Sequence, residues 1–379
     1  MNRIKKLASV VLSAVVCGAS QVFAAEPETV WTVDDYAETL VITEQPSSGT
    51  AWEFTLSAGG VLTKTTAGGS KSLNFKTISL PDGYAIRSFA SSFLSGNTSV
   101  QHLYFPSTVT NISDSAFNGC TSLVTCDFPE GTPIERVGNQ AFMNDAALVA
   151  QIGRLCPPTV TWLGGWAFYK CGKVTGKVSL PALAGFSTSQ GGNKGQQFYK
   201  CGLRDAEITS PFLTSTCGFF PNCYSITNIT IACENLTSIG TVFALNCNKL
   251  KSVTIDCPKL GSVAANAFYH DNASYTMSIN TFTILNRPFV QNGTDNTVNV
   301  IDQLLADVVA VDSETAAAKN CTIYVQASDA SRWRPYADAL AGYESAHAPK
   351  YAFGVYSASS RKAYMAALGG SPGFAIIVR

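Results

Sequence analysis

The sequence predicts a repeat protein of the α/β class. The expected form is a solenoid of short strands and turn or 3₁₀ segments, with a β-rich N-terminal cap and a short C-terminal helix. Three observations lead there. The string Ala-Phe-x-x-Cys, or a variant of it, recurs in about eight units through the middle of the chain. Each unit carries the same apolar pattern downstream of that string. Finally, the roughly 355 residues left after an N-terminal export-type segment exceed what one globular core organises, so the chain must divide or repeat.

The repeat is read from its phenylalanines. Phe93, Phe117, Phe142, Phe168, Phe198, Phe220, Phe243 and Phe268 are spaced 24, 25, 26, 30, 22, 23 and 25 residues apart. The interval of 30 contains a Gly/Ser/Gln-rich insertion from Gly185 to Gln196. After the Cys position each unit has an apolar residue and a short alternating run, as in Ile229-Thr230-Ile231 and Val253-Thr254-Ile255, which is the period of a half-buried strand. A second apolar pair follows, for example Val109 with Ile112 and Leu260 with Val263. A unit of ~23 residues cannot bury its apolar side alone; stacked units share one continuous core. The eight phenylalanines are therefore expected inside, each contributing about 1.5–3 kcal/mol once covered.

The ends read differently. Arg3, Lys5 and Lys6 precede an apolar run from Leu7 to Val16, and Val22-Phe23-Ala24 supplies a cleavage-type site, so residues 1–24 are expected to be a secretory signal peptide. Residues 25–77 hold strand-like pieces at Thr39 to Thr43 and Trp52 to Leu56 and are expected to cap the first coil. Residues 78–271 form the repeat region, and 272–379 form degenerate repeats with a C-terminal cap. Within the last part, Thr281 to Leu285 reads as a strand, Val300 to Val311 as an amphipathic segment, and Ser328 to Tyr343 as a helix.

These residues resemble the BspA-type (treponemal-type) leucine-rich repeat family, over approximately Ile78 to Asp271. The stretch from Ser115 to Leu123, Ser-Ala-Phe-Asn-Gly-Cys-Thr-Ser-Leu, is the closest. Cys321 to Val325 followed by Ala327 to Leu340 looks like the strand-plus-helix ending common in such proteins. The resemblance implies a leucine-rich-repeat solenoid and a bacterial cell-surface or secreted protein that adheres to host proteins or other cells. The insertion in the fourth unit and the Phe219-Phe220 unit depart from the pattern.

Composition excludes several other functions. Lys and Arg total 26, Asp and Glu total 26, and charged residues are only 14%. Such a surface has no electrostatic footprint for nucleic acid. No stretch after the first segment approaches the roughly 20 apolar residues of a transmembrane helix. Of the twelve cysteines, Cys17 falls in the first segment, which leaves an odd number. Cys201, Cys223 and Cys247 share one repeat position, and Cys233 and Cys257 another, as a buried thiol ladder would. Stacked coils lie about 4.8 Å apart, so a disulfide such as Cys201 to Cys223 is an alternative for part of the column. No pair of cysteines has zinc-finger spacing, and no metal or cofactor is expected. His102, His270 and His347 lie outside any catalytic motif, and no catalytic residue is assigned.

Two surfaces qualify for binding. Gln101, Thr125, Asp127, Thr230, Ser252 and Thr254 are expected to face outward from the strands. Tyr169, Tyr199 and Tyr269 each follow a repeat Phe and form a column of their own. The reading is a non-enzymatic, exported binding or adhesion module whose partner is a host or bacterial surface protein or glycan. A self-associating envelope component is the second reading, and a hydrolase with an unrecognised site the third.

Overall fold

The computed structural model describes residues 30–34, 39–43, 52–65, 77–80, 85–189, 195–269, 279, 281–285, 289–291, 294–297, 299–301, 303–304, 321–326, 351–357 and 362–364. The segments expected at 1–24, 328–343 and 374–378, together with His270 and Asp271, lie outside these residues.

The middle of the chain is a solenoid with three stacked walls per coil. The first wall is a parallel strand ladder. Thr77–Ser79, His102–Tyr104 and Thr125–Asp127 make a three-stranded sheet. Ala150–Gln151, Val174–Ser179, Gly202–Ile208, Asn228–Ile231, Ser252–Ile255, Thr281–Ile284, Cys321–Gln326 and Tyr351–Ser357 make a longer parallel one, with Lys362–Tyr364 antiparallel at its edge. Between the two sheets a four-residue helix, Ile152–Leu155, takes the place where strand would continue. Helix is scarce: besides that turn, the described residues include helical backbone at Val300, Ile301 and Leu304, all buried.

The second wall comes from the second apolar pair of each unit. Ser88–Phe89, Asn111–Ile112, Arg136–Val137, Trp162–Leu163 and Gly185–Phe186 pair in parallel, two residues each. Val61–Thr65 joins this ladder, and antiparallel strands Trp52–Leu56, Thr39–Thr43 and Val30–Asp34 extend it outward. Further along, Ser238–Ile239 and Ser262–Val263 pair on their own.

The third wall is the turn that carries the repeat string, and it is as regular as the strands. Leu94 N–H donates to Ala116 O at 2.7 Å, Phe117 to Ala141 at 2.9 Å, Phe142 to Ala167 at 2.8 Å and Phe168 to Gln197 at 2.8 Å. Phe198 donates to Phe219 at 2.9 Å, Phe220 to Phe243 at 2.8 Å and Ala244 to Ala267 at 2.7 Å. Each turn closes on itself with bonds such as Cys120 N–H to Phe117 O, 3.1 Å. Buried backbone amides must find partners, and here the next coil supplies them.

This ladder corrects the register read from the phenylalanines. Phe93 and Phe243 are buried, but each sits one residue ahead of the inward column. Leu94 and Ala244 occupy the places that Phe117, Phe142, Phe168, Phe198, Phe220 and Phe268 fill in other coils. Unbroken ring stacking follows the true column: Phe142 on Phe168 at 5.4 Å and 8°, and Phe168 on Phe198 at 5.4 Å and 2°. Where Ala244 interrupts it, Phe243 fills the space edge-on, at 84° to Phe220 and 68° to Phe268. A sequence pattern that follows ring identity cannot see this exchange of neighbouring places.

Two backbone columns flank each inward residue in the left-handed region. Two places before it stand Ser92, Ser115, Gln140, Trp166, Gln196, Val242 and Asn266, with φ from 50° to 63°. Two places after it stand Gly96, Gly119, Asn144, Lys170, Lys200, Asn222 and Asn246, with φ from 58° to 75°. Glycine and asparagine tolerate this conformation; long or β-branched side chains do so at a cost.

Coils approach closely where the second wall meets the turn. A Cβ on Gly164 would lie 2.2 Å from the backbone of Asn139 and Gly138. Gly153, on the exposed face of the short helix, has nothing within 4 Å. Gly164→Ala is therefore expected to lower the unfolding free energy by several kcal/mol through forced separation of two coils. Gly153→Ala should leave it within about 1 kcal/mol of wild type. Urea denaturation of both variants checks the pair.

Candidate functional site

The cysteine column holds the turn wall together from inside. Ten cysteines of the described residues are free, and all are buried. Cys120 Sγ donates to Leu94 O at 3.2 Å, Cys171 to Phe142 O at 2.9 Å and Cys201 to Phe168 O at 3.0 Å. Cys223 donates to Phe198 O at 3.0 Å and Cys247 to Phe220 O at 3.1 Å. Every acceptor is the carbonyl of the inward residue one coil back. Cys233 and Cys257 do the same on the strand wall, with Ile208 and Ile231. A thiol suits the place because it is small, apolar and still a donor. Burial pushes the thiols well up, to about 12 for Cys223, so nucleophilic thiolate is suppressed. Among the described residues no three His, Cys, Asp or Glu side chains are grouped to hold a metal ion.

The expected strand face is divided. Thr125 and Asp127 sit beside His102 and Tyr104 in the three-stranded sheet, and His102 Nδ1 lies 3.2 Å from Thr125 Oγ1. Gln101 precedes its strand and spends its carbonyl on the amides of Val124 and Thr125. Thr230, Ser252 and Thr254 belong to the longer sheet, beyond the Ile152–Leu155 helix. There the register aligns Asp205, Asn228, Ser252 and Thr281 in one outward column, and Glu207, Thr230, Thr254 and Thr283 in the next. The charge on these columns is concentrated at one end. Asn228 Nδ2 donates to Asp205 Oδ1 at 2.8 Å, and Lys177 pairs with Glu207 at 2.6 Å.

The tyrosine column is also divided. Tyr169 and Tyr199 stack at 4.5 Å and 10°. Tyr269 occupies the same place three coils on, with Pro221 and Leu245 at the intervening positions, so it does not join them. Trp166 packs on Tyr169 at 4.9 Å, and its indole N–H donates to Gln196 Oε1 at 3.1 Å. Lys170 Nζ lies 5.2 Å from the Tyr169 ring centre and Lys200 Nζ 5.5 Å from that of Tyr199. Sequence reading noted the tyrosines and passed over the lysines. The identical strings Phe-Tyr-Lys-Cys-Gly at 168–172 and 198–202 were the available signal.

A profile of the BspA type leucine rich repeat region matches residues 70–175 and 155–274, in six copies. The chain belongs to the BspA-type leucine-rich-repeat family. Among solved structures, a leucine-rich-repeat protein of Treponema pallidum is similar at 19% identity, covering 55% of this chain and 91% of that one, with a TM-score of 0.38. A leucine rich cell surface protein of Faecalibacterium prausnitzii shares 16% identity over 65% and 90% of the two chains, TM-score 0.33. A leucine-rich-repeat protein of Bacteroides ovatus shares 14% over 70% and 85%, TM-score 0.30. Among curated proteins, none matches. Within the described residues of this repeat protein, no helix is long and apolar enough to cross a membrane.

Within the run from Cys120 to Cys247, one coil interrupts the thiols. Asp145 stands in the cysteine position between Cys120 and Cys171, fully buried, and neither carboxyl oxygen has a hydrogen-bond partner. Burial pushes its pKa up to about 8, and the nearby amides of Cys120 and Gly119 oppose the shift only in part. Those amides already donate to Phe117 O and Met143 O. A neutral carboxyl is the form that fits this place. The folded state thus binds a proton that the unfolded chain, at its ordinary pKa near 4, has released. Stability from this group is complete below pH ~4 and falls as pH rises towards 8. Asp145→Cys is expected to flatten that fall and to stabilise the protein at pH 8 by a few kcal/mol. Guanidinium titrations at pH 5 and pH 8 measure it; equal pH dependence in both proteins would refute the assignment.

Proposed function

We propose that this repeat protein is an exported, non-catalytic binding module that adheres to a surface protein or glycan through its outward strand ladder. The observation that carries the reading is the pair of columns at Asn228, Ser252 and Thr281 and at Thr230, Thr254 and Thr283. These residues repeat one hydroxyl or amide group per coil on a rigid parallel sheet. A single contact of this kind is weak, but a partner spanning several coils adds them without ordering a loop, which lowers the entropic cost of association. The leucine-rich-repeat solenoid is in general a scaffold for such extended surfaces. Export is carried by the basic-apolar-small pattern of residues 1–24. The N-terminal strands fit a cap at the first coil, and the segment after 271 fits a run-out of the repeat.

Self-association is the second reading, favoured by one patch. Val124 and Val149 lie on neighbouring coils, joined by Val149 N–H to Val124 O at 2.9 Å, and Val149 is 57% exposed. Two apolar side chains side by side on an edge of the strand wall are a seat for another copy.

The mature chain is expected to bind a defined subset of an array of extracellular-matrix proteins and glycans. The triple variant Thr230→Lys, Thr254→Lys, Thr283→Lys should abolish that binding with little change in melting temperature. An array with no specific signal would count against adhesion. Sedimentation velocity across a hundredfold range of concentration decides the second reading: a rising sedimentation coefficient that Val149→Asp removes would support self-association.

A further inference from the structure

The turn wall around Tyr169 and Tyr199 carries an arrangement that packing does not explain. At the place two residues after the inward side chain, the neighbouring coils use Gly119, Asn144, Asn222 and Asn246, the residue types that accept a positive φ. Lys170 and Lys200 hold the same conformation at φ 64° and 58°. Trp166 and Gln196, at φ 57° and 50°, also hold a positive φ. Four residues at positive φ thus cluster on two successive coils, and all contribute to one partly exposed patch. Both lysines are exposed, and neither has a carboxylate partner among the described residues. They stand in the same column one coil apart, where like charges repel. The tyrosine hydroxyls are also uncommitted within the described residues. Around them the side chains are rigid: ring stacking at 4.5 Å and the Trp166 to Gln196 hydrogen bond fix the rings before any partner arrives.

We propose that Trp166, Tyr169, Lys170, Gln196, Tyr199 and Lys200 form a binding site for an acidic polysaccharide. Two ammonium groups at the spacing of the coils meet anionic groups along one strand of ligand. The phenol hydroxyls, and the Gln196 amide beside the indole, are polar groups suited to sugar hydroxyls. Nucleic acid is the weaker fit, because two cations in a chain of zero net charge make few of the phosphate contacts that such binding needs. The site lies on the turn wall and does not depend on the strand face taking part in adhesion.

The test uses the mature chain and immobilised polygalacturonate, heparin and dextran. The first two separate carboxylate from sulfate as the anionic group, and the third has neither. Wild type is expected to be retained on at least one acidic polymer, to elute as salt rises, and to pass through dextran. Lys170→Asn with Lys200→Asn should weaken retention at least tenfold while leaving the melting temperature equal or higher, since asparagine suits both places. Lys170→Gln with Lys200→Gln removes the charge but keeps part of each stem and should weaken retention equally, and Lys249→Asn with Lys251→Asn elsewhere on the solenoid should not. No retention of wild type on either acidic polymer would overturn the proposal. So would equal retention on dextran, or wild-type retention by both lysine pairs when substituted.

Discussion

The hydrogen-bond ladder through the turn wall is the constraint that the rest of this solenoid accommodates. In strand walls, backbone pairing between coils is the ordinary outcome of parallel register. Turns usually direct their amides to solvent or to their own carbonyls. Here the amide of each inward residue crosses to the next coil, from Leu94 through Ala244, and this requires every turn to adopt one conformation. The two left-handed columns follow from that requirement. The carbonyl of the inward residue also points at the following coil, where a thiol one turn on satisfies it. Cysteine, glycine and asparagine recur because the turn geometry leaves them as the least costly choices. Chemistry at those residues is not what selects them.

Against this background Asp145 and the two lysines are exceptions of opposite kinds. Asp145 breaks the thiol column inside the core, and its burial is compensated by holding the proton rather than by a partner. It is isosteric enough to fit and polar enough to be penalised. Cys120 and Cys171, the thiols next to it in the column, are kept protonated by burial and offer no positive charge to a carboxylate. Lys170 and Lys200 break the Gly/Asn column on the outside, where no core packing rewards them. A departure inside the core acts on stability, whereas a departure on the surface that costs conformational energy implies a use for the exposed group.

Much of this architecture was legible in the sequence because the repeat is dense. Ile229-Thr230-Ile231 and Val253-Thr254-Ile255 alternate clearly enough to place strand, inward face and register together. The second apolar pair marked the second wall. Ring identity misled at Phe93 and Phe243, because burial is served by Phe-Leu or Phe-Ala as well as by Ala-Phe when neighbouring coils adjust. Only the backbone ladder distinguishes the two orders. The break in the strand face at Ile152–Leu155 was also hidden: Gln151-Ile152-Gly153-Arg154-Leu155 carries no breaker that distinguishes one helical turn from a strand. Asp145 was visible as a residue in the Cys position, but its lack of a partner depends on which amides Phe117 and Met143 have already claimed.

The candidate surfaces show why function is harder to read than fold in such a protein. The core is determined by neighbours at a fixed period, so each coil repeats the evidence of the last. A binding surface is determined by departures from that period, and each departure occurs once or twice. Tyr169 and Tyr199 acquire meaning only through the lysines that follow them and the Trp166 that leans on one of them, while Tyr269, with the same residue type in the same place, stands three coils away. Counting residue types along a column therefore overestimates the site. Adjacency along the solenoid axis is the stricter criterion, and it selects the two coils where strain, charge with no carboxylate partner among the described residues, and preformed aromatic packing coincide.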